Sequence, residues 1–476
     1  MSSIWITDNH EPISLDAESN DRYNRDFATD AELEDVKDAI GIIANKTIET
    51  QRKNNPNLLV FPPDLKQHGD EIGDDQILSF SDGKISTGNI MGFVGVNQTQ
   101  IDIRSRFAQT DGNDYFLHYM LQKVFAINLF DLKHDTSAER IFDFLFYLFP
   151  HFLRKAVAQG VFKKYRRFEH NDANIRGPID VSRHIRQNIP FRGTVAYTTR
   201  EHTYDNELTQ LVRHTIEFIR GKEQGQSILN NDADTKTAVS QIVMATPTYN
   251  ARERAKIVSQ NLRPVRHPYF SAYTDLQRLC LQILRHEELK YGRQKDQIYG
   301  ILFDGAWLWE EYLNTIFEKK KLGITHAKNK TGENGIQIYK GSHKYFPDFY
   351  IQTKGDETGE KSFVFDAKYK RLVRGEIDET QNNISICRDD LFQMITYMHV
   401  LPAKHCALLY PIELDETQEE KAVLSIPRQL CGLGGNIYGI GIRVEQTASD
   451  YDKYKAAMED VENALKTQIK TLLKTE

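Results

Sequence analysis

The chain has 476 residues, more than one ordinary core organises, so two or three domains are expected. Hydrophobic residues make up 40% and charged residues 27%, the composition of a soluble globular protein. A net charge of −6 excludes a polycation, so any nucleic-acid surface must be a local patch.

The opening Met1-Ser-Ser-Ile-Trp-Ile-Thr-Asp8 lacks a basic region followed by an apolar one, so no secretory signal is expected. Residues up to about 110 look strand-rich, and Asn89–Asn97 followed by Gln100–Arg104 reads as a hairpin. From Asp114 to Gln159 the spacing of aromatic and leucine residues turns helical. Its most apolar part, Ile141–Leu153, is interrupted by Asp143 and Pro150. It is also shorter than the ~20 residues a bilayer requires. A buried helix is expected there, and no membrane association. Between Arg154 and Arg192 stand ten Lys or Arg against three acids. This segment is the best candidate for contact with phosphates or an acidic partner, and a solvated helix-loop face is the plainer alternative. Asp205–Gly221 and Tyr273–Leu289 read as amphipathic helices, with a boundary near Lys290–Asp296.

Beyond that boundary the pattern predicts a helix over Phe303–Phe317, two strands, a helix over Asp389–His399 and a buried strand at Cys406–Tyr410. A β segment around Gly439–Val444 follows. A final helix carries Met458, Val461, Leu465, Ile469 and Leu472 on one stripe. The expected organisation is multidomain α+β. It comprises a β-rich region over 1–110, a mainly helical region over 111–290, an α/β domain over 291–445 and a terminal amphipathic helix over 446–476. Cys280, Cys387, Cys406 and Cys431 form no CxxC pair. That argues against structural zinc and against a disulfide framework, and it fits a reducing cytoplasm. The histidines show neither HxH nor HExxH spacing, so zinc hydrolysis is not expected.

Chemistry concentrates in Tyr345-Phe-Pro-Asp348-Phe-Tyr-Ile-Gln352 and Phe363-Val-Phe-Asp366-Ala-Lys368-Tyr-Lys370. Asp366 and Lys368 sit at i and i+2 of a strand-like run, so their side chains leave on one face. Pro347 suits the entry to a strand that places Asp348 early. The polar run Thr353–Glu360 reads as a hairpin loop, which would bring Asp348 to Asp366. Two carboxylates at one point favour a hard divalent cation such as Mg²⁺ between them. The preceding helix offers Glu310 as a third acid, with Glu311 as fallback. In the following helix Gln393 and Tyr397 stand at i and i+4, facing one way. By itself Asp366-Ala-Lys368 reads as an ordinary surface pair, and Gln393 and Tyr397 are equally compatible with satisfied core polar groups.

The order E…PD…DxK…QxxxY resembles the PD-(D/E)xK nucleases, and more closely one branch, the McrC family of McrBC-type restriction systems, with the LlaJI-type systems close by. The resemblance runs over Ile101-Asp-Ile-Arg104, Arg176-Gly-Pro-Ile-Asp180, Tyr204-Asp-Asn206, Phe303–Tyr312, Pro347-Asp348, Asp366-Ala-Lys368 and Asp390-Leu-Phe-Gln393…Tyr397, roughly residues 90 to 410. It implies a C-terminal restriction-endonuclease-like domain that cleaves double-stranded DNA. Asp348, Asp366, the Ala367 carbonyl and Glu310, directly or through water, would hold Mg²⁺, and Lys368 would position the attacking water. It further implies an AAA+ NTPase partner, McrB-like, contacted by residues 1–290. The chain has no GxxxxGK[ST], so it should not hydrolyse GTP or ATP alone. A non-catalytic activator of such a partner and a stand-alone repair nuclease are the alternatives.

Overall fold

The computed structural model describes residues 2–20, 22–26, 30–55, 58–62, 72–97, 99–109, 114–125, 138–222, 225–230 and 232–290. Beyond them it describes 298–317, 322–327, 335–337, 344–353, 361–370, 377–378, 383–384, 386–401, 403–413, 422–431 and 434–474. The expected hairpin loop after Thr353 and the expected boundary after Lys290 lie outside them.

The elements used below, in chain order, begin with β1 (Ser2–Thr7), β2 (Tyr23–Asp26), α1 (Asp30–Ile43), β3 (Leu58–Phe61), β4 (Ile90–Val96), β5 (Thr99–Arg104) and α2 (Tyr115–Phe125). Next come α3 (Ala138–Ala158), β6 (Lys164–Asp172), α4 (Val181–Asn188), β7 (Val195–Thr203), α5 (Glu207–Arg220) and α6 (Ala272–Lys290). Then follow β8 (Ile298–Asp304), α7 (Gly305–Phe317), β9 (Thr325–His326), β10 (Phe349–Thr353) and β11 (Lys361–Ala367). The last are α8 (Arg388–Val400), β12 (His405–Ile412), β13 (Val423–Gln429), β14 (Asn436–Arg443) and α9 (Tyr451–Lys474). The chain is mixed α+β. It folds as two compact units, residues 1–126 together with 294–476, and residues 127–293.

The first unit holds two six-stranded sheets. The N-terminal sheet runs β2-β1-β5-β4-β8-β3. Ile4, Ile6, Val94, Ile101 and Ile103 bury its alternating apolar positions with Val36 and Ile40 of α1. The hairpin expected over Asn89–Arg104 is β4 and β5, paired antiparallel from Gly92 with Ile103 to Val96 with Thr99. Ile298–Asp304 differs from the linear reading. Its last residues were expected to start a helix of the C-terminal domain, but they end β8, which pairs antiparallel with β4 and parallel with β3 in the N-terminal sheet. Gly300 permits this, because a Cβ there would meet the Phe93 carbonyl oxygen at 2.3 Å.

The second sheet runs β9-β10-β11-β12-β14-β13, with parallel pairs at its centre. β12 is an unbroken apolar run because both faces are covered. One face packs on α8 through Val364, Met394, Met398, Cys406 and Leu408. Helix α7 is fixed from two sides. Trp309 Nε1 donates to the Leu409 carbonyl at 3.3 Å. Tyr312 donates to the buried Glu462 of α9 at 3.3 Å, and that carboxylate also takes a 2.7 Å bond from Tyr119 of α2.

Among its described residues the second unit is helical apart from one antiparallel strand pair. Ile141–Leu153 lies inside α3 as expected of a helix, with Leu145–Phe149 buried. The basic segment Arg154–Arg192 holds the end of α3, then β6, which pairs with β7 over nine residues, and α4, which sets against the pair. Arg183 of α4 donates to the carbonyls of His170 and Tyr197, at 3.0 and 2.6 Å, and so holds the helix on the hairpin. No helix among the described residues is long and apolar enough to cross a membrane.

In α5, His214 is 1% exposed, and neither ring nitrogen finds a hydrogen-bond partner among the described residues. Burial, then the charges of Arg254 and Arg213, push its pKa down to about 4 from 6.5. The folded state therefore holds it neutral, and its contribution to stability is complete above about pH 6.5 and lost as pH falls towards 4. His214→Leu is expected to lose less stability than the parent chain between pH 7 and pH 5, read by chemical denaturation at the two pH values. Equal losses would contradict the assignment.

Candidate functional site

Strands β10 and β11 pair antiparallel with Phe349 opposite Phe365. One further step in that register sets Asp348 opposite Asp366, on the same face. Phe317, at the end of α7, packs on Phe349 and Phe365 with centroids 4.9 and 5.8 Å away, so the helix carrying Glu310 lies over these two strands. Asp348 Oδ2 accepts the Ala367 N–H at 2.6 Å, which ties the strand entry to the strand end.

Lys368 falls one residue past β11, yet its N–H still bonds the Leu409 carbonyl at 2.9 Å. The ladder with β12 thereby continues and keeps Lys368 beside Asp366, with Nζ 2.7 Å from Asp366 Oδ2. Nζ also donates to Gln393 Oε1 at 2.9 Å and lies 3.5 Å from Asp390 Oδ1. Gln393 Nε2 donates to Tyr397 Oη, and Tyr397 donates to the Phe346 carbonyl, each at 3.3 Å. A chain of polar contacts thus leaves β11, crosses α8 and returns to the residues just before Asp348. The structure brings together Asp348, Asp366, Lys368, Gln393 and Tyr397.

Glu310 and Glu311 separate clearly. Glu311 accepts a 3.3 Å bond from Asn314 of its own helix. Glu310 Oε1 lies 2.6 Å from His326 Nε2, and that imidazole stacks on Phe349 at 4.9 Å. Among the described residues no three of His, Cys, Asp and Glu converge closely enough to hold an ion between them. Glu310 is thus near the aspartate pair without joining it.

Burial raises the Asp348 pKa well above the carboxylate range, and the charges of Asp366 and Glu310 add to it. Asp366 is raised too, by burial first, against the lowering effect of Lys368. Burial alone would lower the Lys368 ammonium, but Asp366, Asp390 and Asp348 outweigh it and hold the pKa above the usual lysine value. Burial would also raise Asp390, but Lys370, Cys387 and Lys368 hold it below the usual range. The site therefore holds two desolvated carboxylates that resist being charged together, beside one fixed cation. Its oxygen donors, two carboxylates and the Ala367 carbonyl, suit a hard divalent ion that keeps most of its water.

Three residues here have no role in the sequence analysis. Asp390 accepts from Lys370 at 2.8 Å and links both lysines to the first turn of α8. Its i, i+3 spacing to Gln393 was the available signal. Lys370 continues the alternation of Asp366 and Lys368. His326 had no signal, because its meeting with Glu310 arises only when β9 joins the sheet edge.

Residues 85–411 match the model for the McrBC 5-methylcytosine restriction system component. That makes the chain a restriction-system component. It belongs to the McrBC family, the match covering more than half its length. Among solved structures, a chain of the refined half-complex from the tetradecameric assembly of Thermococcus gammatolerans McrB AAA+ hexamers with bound McrC is similar at a TM-score of 0.50 and 16% identity. The alignment covers 98% of this chain and 99% of that one, a likeness of fold. The cryo-EM structure of the Thermococcus gammatolerans McrBC complex aligns over 66% of this chain and 87% of that one, at 15% identity and a TM-score of 0.32. No curated protein matches the chain.

The like-charge burial at Asp348 and Asp366 makes a stability prediction. With divalent ions chelated, Asp348→Asn should raise the denaturation midpoint, by on the order of 1 kcal/mol of stability. The amide still accepts from Ala367 N–H while removing one charge. A lowered midpoint in chelator would mean that the pair is not repulsive.

Proposed function

We propose that this chain is the Mg²⁺-dependent, DNA-cleaving subunit of a McrBC-like restriction complex, and that residues 305–445 form a PD-(D/E)xK nuclease domain. The observation that carries this reading is Lys368 held 2.7 Å from the buried Asp366, in the register that sets Asp348 opposite. Asp348, Asp366 and the Ala367 carbonyl would hold the Mg²⁺, with Glu310 reaching it through water. When bound, the metal supplies Lewis acidity at the scissile phosphate and acidifies a bound water. The chain's own groups do the rest. Lys368, kept protonated by its three acidic neighbours, holds the attacking water and offsets negative charge growing on the phosphate oxygens. Gln393, braced by Tyr397, fixes the lysine's direction. Glu310, braced by His326, orients water beside Asp348.

The DNA substrate and the AAA+ partner come from family membership and from the Thermococcus gammatolerans assembly, in which McrC is bound to McrB AAA+ hexamers. The missing nucleotide-binding loop supports the same division of labour. We assign the partner contact to the β6–α4–β7 arm. Ile175, Ile179, Val181, Ile185, Ile189 and Phe191 are 47–67% exposed there, among arginines. Phosphates need no such apolar surface, whereas a protein interface does. Four free thiols fit action in the cytoplasm.

Asp366→Ala should abolish cleavage of duplex DNA in Mg²⁺ with the AAA+ partner present, while partner binding and nucleotide hydrolysis persist. Cleavage that survives this change sinks the site assignment, and a parent chain that stimulates its partner but never cuts would mark it as an activator. Separately, the chain without its partner should bind duplex DNA weakly and with little sequence preference, read by a salt-controlled mobility shift.

A further inference from the structure

The run Ile101-Asp-Ile-Arg104, with Ser105 and Arg106 behind it, has no part in the site described above. Its contacts lead to Tyr369, the neighbour of Lys368. The Tyr369 side chain is buried. Its hydroxyl lies 3.1 Å from Ser105 Oγ and donates to Met91 Sδ at 3.3 Å. The Arg106 guanidinium sits 4.7 Å from the ring centroid, and its Nη1 donates to the Tyr369 carbonyl at 3.4 Å. Phe107 meets the ring edge-on at 5.7 Å. Arg106 is itself gripped. Asp8 accepts from its backbone N–H at 2.6 Å, from Nε at 3.0 Å and from Nη2, which also reaches Asn89 Oδ1.

The same ring abuts the start of α7. A Cβ on Gly305 would fall 2.7 Å from the Tyr369 ring, inside contact distance, and the ring is too buried to swing clear. Gly305 N–H also donates to the Asn89 carbonyl at 2.8 Å, so Asn89 touches both the arginine and the helix. One residue from Tyr369 is Lys368. Five residues from Gly305, about a turn and a half along a rigid helix, is Glu310. A buried Asp–Arg pair is a poor stabiliser, because the desolvation of both charges offsets their attraction. What such a pair does supply is a definite geometry.

We propose that Tyr369, clamped by Arg106, is a positioning residue that fixes Lys368 relative to the helix bearing Glu310, so that the N-terminal sheet is a working part of the cleavage site. This rests on the nuclease reading. Residues that orient metal ligands typically change affinity or activity about 10- to 100-fold when altered, and a misplacement of about 1 Å is enough for such a loss.

The test uses the full chain with Arg106→Lys, which loses the forked geometry, and Tyr369→Phe, which keeps the ring and removes only the hydroxyl. Mn²⁺ binding by calorimetry, thermal melting, and DNA cleavage with the partner across Mg²⁺ concentrations are measured, with Asp366→Ala as control. The expected result is a fold retained in Tyr369→Phe, with at least one of the two variants folded yet requiring about tenfold more metal for half-maximal binding and cleavage. If Arg106→Lys does not fold, Tyr369→Phe decides alone. Folded variants with the parent's metal dependence, or activity lost only in proportion to unfolded protein, overturn the inference. If Asp366→Ala loses Mn²⁺ binding while both variants keep it, this inference alone fails. If Asp366→Ala binds Mn²⁺ like the parent, the nuclease reading fails first.

Discussion

A carboxylate removed from water either loses its charge or finds a compensating cation, and the second sheet removes two of them at facing positions. The surrounding strand ends are arranged around this cost. Asp366 lies in the middle of an apolar run, between Phe365 and Ala367, where an isolated acid would not persist. Lys368 supplies one charge, and the Ala367 N–H supplies one donor to Asp348. Burial nevertheless outweighs these partners, so both aspartate pKa values rise, that of Asp348 further through the charges of Asp366 and Glu310. A fold that keeps such an imbalance gives up stability at that point, as sites under functional selection do.

The parts legible in the sequence were those set by local rules. Alternation and i+2 spacing are properties of a single strand, so Asp366 and Lys368 could be placed side by side from spacing alone. The same holds for the helix under Gln393 and Tyr397, and for the terminal helix, whose Met458, Val461, Leu465 and Ile469 are buried. What stayed hidden depended on partners remote along the chain. Ile298–Asp304 carries the β-branched and aromatic character of a strand, yet nothing local says that its neighbours are residues 58–61 and 90–96. His326 belongs to a strand of only two residues. In the basic segment the strand β6 has no local signal, because its pairing partner β7 lies beyond the segment, at residues 195–203.

The N-terminal sheet and the proposed site belong to a single compact unit, and the contacts around Tyr369 give that unity a chemical content. Arg106 and Ser105 reach Tyr369 from the N-terminal sheet, and Gly305 abuts its ring from the start of α7. The helix bearing Glu310 begins where β8 ends, with a single residue step between Asp304 and Gly305. Its placement is thus set jointly by both sheets.

The placement of β8 between β4 and β3 also bears on how the chain is made. A ribosome delivers residues 1–126 and then all of residues 127–293 before the strand that completes the first sheet emerges. Until then the edge of β4 and the whole of β3 lack their hydrogen-bonding neighbour, and the loop that must close spans the entire inserted unit. Such a closure is costly in entropy and slow. The nascent protein therefore carries an open sheet edge while residues 97–297 are being added.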